Sequence, residues 1–153
     1  MNYYYSYSTP VGQLEIQADE NAVTRIAYSS YPNQAIYKET PLIKKAFQQI
    51  EEYFARKRTA FDLPLNPKGT PFQKKVWTVL TTIPYGETWS YKQVAEAAGN
   101  PKACRAVGMA NNRNPISIIV PCHRVIGANG KLVGYGGGLP AKEYLLNLEK
   151  EKK

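Results

Sequence analysis

The sequence predicts an α+β chain: a small N-terminal antiparallel sheet with one helix, then a mostly helical second half. Three observations carry this. Residues 3–28 show strand-period alternation broken by Gly, Pro and Asp/Asn turns. Later segments open on hydroxyl caps at Thr40, Thr70 and Ser90. Between the two regimes, residues 58–69 carry Pro64, Pro67 and Gly69, a linker composition. These place two domains at 1–66 and 67–153.

In order, Tyr3 to Tyr7 is an aromatic strand and Thr9-Pro10-Val11-Gly12 a turn. Leu14, Ile16 and Ala18 alternate with Gln13, Glu15 and Gln17, a half-buried strand; Val23 to Tyr28 is a third. Two antiparallel hairpins are the economical arrangement. Thr40-Pro41 opens a helix to about Arg56, with Ile43, Ala46, Phe47, Ile50, Tyr53 and Phe54 on one face. Its tyrosines read as packing residues.

Thr70-Pro71-Phe72-Gln73 and Ser90-Tyr91-Lys92-Gln93 are capping boxes. The helix from Ser90 ends at Gly99, and Asn100-Pro101 starts another, through about Asn111. Two short helices joined by two residues and a glycine fit a helix-turn-helix, whose second helix would meet DNA. An αα-hairpin packed by Ala103, Ala106, Gly108 and Ala110 fits the pattern equally well. Asn111–Pro115 is a polar loop leading into Ile118-Ile119-Val120, which reads as a short buried strand stopped by Pro121. Gly127–Gly130 is a turn and Gly134–Gly138 a flexible loop. Pro140 starts a last helix carrying Tyr144, Leu145, Leu146, Leu148 and Glu149, and a charged tail follows.

No apolar run approaches the ~20 residues of a membrane span, and the N-terminus lacks a signal-peptide pattern. Two cysteines fit reduced thiols in a cytoplasm, and one histidine with two distant cysteines gives no zinc spacing. No metal or cofactor is expected. The formal charge is +8 and unevenly placed. Residues 1–68 carry eight Lys/Arg against seven Asp/Glu, residues 69–153 twelve against five. A basic second half points to a polyanion, most often nucleic acid.

That half contains Pro121-Cys122-His123-Arg124-Val125. Cys122 is the obvious soft nucleophile, and His123 the single imidazole in the chain. A thiol needs a base or positive charge to ionise near neutrality. A buried structural cysteine beside a histidine fits the tripeptide as well.

With the helix-turn-helix pattern before it, this stretch resembles the O6-alkylguanine-DNA alkyltransferases. The match spans about residues 70–149. It includes Ile83-Pro84-Tyr85-Gly86-Glu87-Thr88, Gly99-Asn100-Pro101-Lys102-Ala103, Arg105-Ala106-Val107-Gly108, Asn114-Pro115 and Gly134-Tyr135-Gly136-Gly137. The resemblance implies a ribonuclease H-like N-terminal domain and a winged-helix C-terminal domain carrying the active-site cysteine. Cys122 would accept the alkyl group irreversibly, once per molecule. His123 would take its proton through a water, and Glu149 would orient His123. Tyr91 would protonate the leaving guanine, and Asn114 would brace the loop before the cysteine.

The base must leave the duplex stack. Arg105 would fill its place, with Ser90, Lys102, Ala106, Arg113 and Arg124 as further DNA contacts. Val125 and Cys122 carbonyls, Tyr135 and the Gly136 N–H would form the guanine pocket. Some relatives carry Ser at the Gly136 position, and some a zinc site whose ligands this chain lacks. The implied partner is double-stranded DNA containing O6-alkylguanine, bound by a monomer. Two alternatives are a non-catalytic lesion-binding or helix-turn-helix regulatory protein, and a cysteine hydrolase.

Overall fold

The computed structural model describes residues 1–28, 34–130, 132 and 134–150; the charged tail lies outside them. Strands β1 (Tyr3–Thr9), β2 (Gly12–Ala18) and β3 (Val23–Ala27) form the two expected antiparallel hairpins. The first turn is set by Gly12, at φ 103°, a left-handed conformation that glycine adopts freely. Leu14, Ile16 and Ala18 are fully buried. Glu15 and Gln17, expected on a wet face, are buried too, on a strand flanked by β1 and β3. The Glu15 carboxylate is satisfied there by Arg25 Nη1 at 2.8 Å and by the Gln17 amide at 3.0 Å. Strand β4 (Ile36–Tyr37) pairs parallel with β1. At two residues it is too short to show a period.

Helix α1 (Pro41–Phe54) covers this sheet, capped by Thr40, whose hydroxyl accepts from the Ile43 N–H at 3.2 Å. Residues 58–69 are less free than a linker. Val23 N–H donates to the Pro64 carbonyl and Asn66 N–H to the Val23 carbonyl, both at 2.8 Å. The same β3 edge holds the second half: Ile26 N–H donates to the Pro115 carbonyl at 2.8 Å and Ser117 N–H to the Ile26 carbonyl at 3.0 Å. One apolar cluster therefore runs from Leu14 through Ile26, Tyr53 and Ile116 to Val125 and Leu145.

The second half comprises α2 (Pro71–Leu80), β5 (Trp89–Ser90), α3 (Tyr91–Ala97), α4 (Cys104–Asn112), a 3-10 turn at Cys122–Arg124, β6 (Val125–Ile126) and α5 (Leu139–Lys150). Both capping boxes form, and Gly99 at φ 80° ends α3. β5 and β6 pair in parallel, tying the start of α3 to the segment after Cys122. No helix among the described residues is long and apolar enough to cross a membrane.

Two expectations are corrected. Helix α4 starts at Cys104, not at Pro101, and its N-cap Ala103 makes no side-chain cap bond. The joint after α3 is therefore a longer turn, and Lys102 lies in it rather than on the helix. Second, Ile118–Val120 is no strand. Only Ile116 bridges to Ile26, after which the chain turns back, with Val120 N–H donating to the Ile116 carbonyl at 3.0 Å. Ile118 sits at φ 74°, a conformation costly for a β-branched residue, about 1–3 kcal/mol. Ile118 is 1% exposed, so apolar burial offsets that strain. The run is apolar because it is buried, and strand period and buried turn look alike over so few residues.

Candidate active site and nucleic-acid interface

The strained turn delivers Cys122 to the inner wall of the second half. Asn114 holds the turn: its Nδ2 donates to the Val120 carbonyl at 2.8 Å and the Ile116 carbonyl at 3.4 Å, and its Oδ1 accepts from Ile116 N–H at 3.0 Å. Cys122 is 5% exposed. Burial pushes its thiol above the ordinary range, only partly opposed by hydrogen bonding with Asn114 and the Lys142 charge. Cys122 thus rests as a thiol and needs a base.

The next residue in the chain, His123, carries the imidazole. His123 is fully buried, and its Nε2 lies 2.7 Å from Glu149 Oε2. Burial holds His123 below its ordinary value, although Glu149 pulls the other way. Burial would likewise raise Glu149, but bonds from His123 and Arg124 and their charges outweigh it and hold the carboxyl at about 2. An ionised Glu149 makes Nε2 the N–H donor, leaving the Nδ1 lone pair as the proton acceptor. Nδ1 is buried without a hydrogen-bond partner among the described residues.

Arg124 departs from its expected place on the DNA surface. It is 7% exposed, with Nε and Nη2 donating to Glu149 at 2.9 and 3.1 Å and Nη1 to the Ile83 carbonyl at 2.7 Å. A guanidinium fork matched to a carboxylate at these distances is a buried ion pair rather than a phosphate contact.

The remaining residues fall into two groups. A recess of about 30 Å³ is lined by Asn114, Ser117, Cys122, Gly134, Tyr135 and Gly136. It has room for a water or two, so a purine needs it to widen. Tyr91, first residue of α3, is half-buried, and its ring lies where a Cβ at Gly108 of α4 would meet it at 3.7 Å. Burial raises the Tyr91 phenol, as does Cys122, so it stays protonated at neutral pH. Val125 lies on β6 with its carbonyl already accepting from Lys142 Nζ at 2.6 Å; a carbonyl's second lone pair can take another donor.

The second group is an exposed face. Arg105 and Ala106 on α4, Lys102 before it and Arg113 at its end are all exposed. Met109, 55% exposed, stands one turn beyond Arg105 on the same face. Ser90 is half-buried and its hydroxyl caps α3, accepting from Gln93 N–H at 3.2 Å. This face is basic, suited to contact with a phosphate backbone.

Three residues escape the sequence reading. Lys142 is fully buried on α5, pulled down to about 8 by burial against the opposing influence of Cys122. Lys142, Leu145, Leu146 and Glu149 share one helical stripe, so a lysine on an apolar face was the available signal. Tyr53 of α1 donates to Glu149 Oε2 at 2.5 Å, so it is more than a packing residue. Tyr28, after β3, bonds the Tyr135 hydroxyl at 2.5 Å, and its ring lies where a Cβ at Gly137 would meet it at 2.7 Å. No sequence pattern links the last two to the second half.

Residues 2–67 match the ribonuclease-like domain of 6-O-methylguanine DNA methyltransferase, and residues 71–151 its DNA-binding domain. The constitutive methylated-DNA–protein-cysteine methyltransferase of Bacillus subtilis is 50% identical over 98% of this chain and 96% of its own length. That of Methanosarcina acetivorans is 49% identical over 96% and 97%. The crystal structure of the Mycobacterium tuberculosis O6-methylguanine methyltransferase superposes with a TM-score of 0.93 at 44% identity, covering 100% of this chain and 95% of that one. The structure of M. tuberculosis OGT in complex with DNA gives 0.89 at 46% identity, covering 98% and 94%.

Proposed function

The chain belongs to the 6-O-methylguanine DNA methyltransferase family, a DNA-binding, DNA-repairing group that transfers methyl to a protein cysteine, and from that premise we propose how its residues act. The acceptor is Cys122, and the substrate is O6-alkylguanine in double-stranded DNA. The observation that carries this is a buried thiol beside the chain's single imidazole, which is itself held by an ionised carboxylate.

Exposed Arg105 occupies the stack while the damaged base turns into the widened recess. The Cys122 thiol proton passes through a water to His123 Nδ1, and Glu149 stabilises the imidazolium. Sulfur attacks the alkyl carbon in line; the S–C bond forms as the C–O bond to guanine breaks. Tyr91 gives a proton to the departing guanine and recovers one from the imidazolium side. Asn114 holds the cysteine turn, Lys142 supports negative charge on sulfur, and the Val125 carbonyl, Tyr135 and the Gly136 N–H hold the base. The thioether has no route back, so each molecule acts once.

In this reading residues 1–66 support residues 67–153, and the protein works as a monomer in a thiol-reducing cytoplasm. Lesion binding without transfer is not favoured, since the cysteine is present with its base and orienter. The test is incubation with a methylated oligonucleotide followed by intact and peptide mass. One methyl on the Cys122 peptide, absent in Cys122→Ala, is expected; no added mass on that peptide refutes the assignment.

A further inference from the structure

We infer that Tyr53, on the N-terminal helix α1, is a positioning residue for alkyl transfer: its hydroxyl fixes Glu149 and so sets the basicity of His123. The inference rests on the base role proposed for His123, and brings a group from the other half of the chain into the centre.

The ring of Tyr53 packs edge-on or tilted against Phe54, Phe61 and Tyr85, with centroids 5.6, 5.6 and 6.2 Å away. A phenylalanine would satisfy every one of those contacts, so packing leaves the hydroxyl unexplained. That hydroxyl is fully buried and donates to Glu149 Oε2 at 2.5 Å. Burial and the adjoining carboxylate both push the phenol upward, so it stays protonated and donates to the ionised carboxylate, which can only accept.

Oε2 is the same oxygen that His123 Nε2 approaches at 2.7 Å. Arg124 spans both oxygens, and Gly86 N–H reaches Oε1 at 3.4 Å. The carboxylate is thereby pinned on each side, and Tyr53 is the pin that α1 supplies. A donor on Oε2 also draws off charge that would otherwise strengthen the bond from the imidazolium. Less charge on Oε2 means a less basic His123, which keeps Nδ1 free to take the thiol proton near neutrality. The other charged groups bearing on His123 are Arg124, from its own turn, and Lys142, from α5. The other phenol bearing on Glu149 is Tyr85. Tyr53→Phe leaves all of these in place.

The chain holds one histidine, so a single imidazole resonance reports His123 directly. Titrate it by NMR in the free protein, and time alkyl transfer from free O6-benzylguanine, which needs no DNA. Tyr53→Phe should raise the His123 pKa by about half a pH unit and, because the carboxylate that orients the imidazole loses one of its pins, slow transfer about fivefold. Placing 3-fluorotyrosine at position 53, a more acidic phenol and stronger donor, should move the titration the other way. A folded Tyr53→Phe whose His123 titration and transfer rate match the unsubstituted protein overturns the inference. Should Tyr53→Phe fail to fold, the 3-fluorotyrosine variant decides: a lowered titration supports the role, and an unchanged one rejects it. An unsubstituted protein that takes up no benzyl group would defeat the transfer reading alone, since the His123 titration is measured without substrate.

Discussion

Arg124 offers the sharpest test, because a surface arginine and a buried one predict opposite results. Consider Arg124→Met, which keeps much of the side-chain volume and removes the charge. The structure shows what is lost: two bonds to Glu149 at 2.9 and 3.1 Å and one to the Ile83 carbonyl at 2.7 Å, all inside. Glu149, 2% exposed, keeps its bonds from Tyr53 and His123 but loses its one permanent counter-charge. Removing one partner of a buried pair costs about 3–5 kcal/mol, much of it the uncompensated charge left behind. For a chain of 153 residues, about 4 kcal/mol lowers the melting temperature by roughly 8–16 °C. A solvent-exposed arginine would cost within about 0.5 kcal/mol and weaken DNA binding instead. Thermal unfolding and oligonucleotide affinity, both in a Cys122→Ala background, separate the two. A melting temperature unchanged within two or three degrees, with weakened DNA affinity, would show the buried-pair reasoning to be wrong.

Other outcomes follow from the same geometry. Gly137→Ala should destabilise by about 1–3 kcal/mol, because its Cβ would lie 2.7 Å from the Tyr28 ring; Gly136→Ser meets open space and should melt with the unsubstituted protein. Glu149 is held at about 2 against an ordinary 4.5, so it contributes about 3 kcal/mol above pH 4.5 that is lost as pH falls towards 2. His123, held below its ordinary value, adds loss of the same sign as pH falls through 6.5. Denaturant midpoints measured from pH 7 to pH 2.5 should therefore fall steadily, and a flat profile would contradict the buried dyad. Arg105→Ala should slow repair in duplex DNA while sparing transfer from free O6-benzylguanine; equal loss in both would remove Arg105 from base extrusion.

Local chemistry was legible wherever neighbours in sequence are neighbours in space. The hairpins, three hydroxyl caps, two capping boxes and the glycine stop at Gly99 follow from side chains bonding a backbone three residues away, or from freedom at one φ. The Cys122–His123 pair could be singled out because thiol and imidazole are scarce in this chain. Glu149 came only from family resemblance, since 26 residues separate it from His123.

What the chain order could not announce is which polar groups go inside. Arg124 reads as one more cation in a basic half, and only the arrival of α5 turns it from solvent to Glu149. Lys142 and Tyr53 look like an ordinary helix cation and an ordinary aromatic until burial removes their water. Ile118 belongs with them: an apolar run reads as a strand, and the pull of Ile26 and Asn114 bends it into a turn. Short-range hydrogen bonds and hydrophobic period act through the chain itself, so residue order determines them. Desolvation and pairing of charge act through space, and the assembled fold alone decides where they fall.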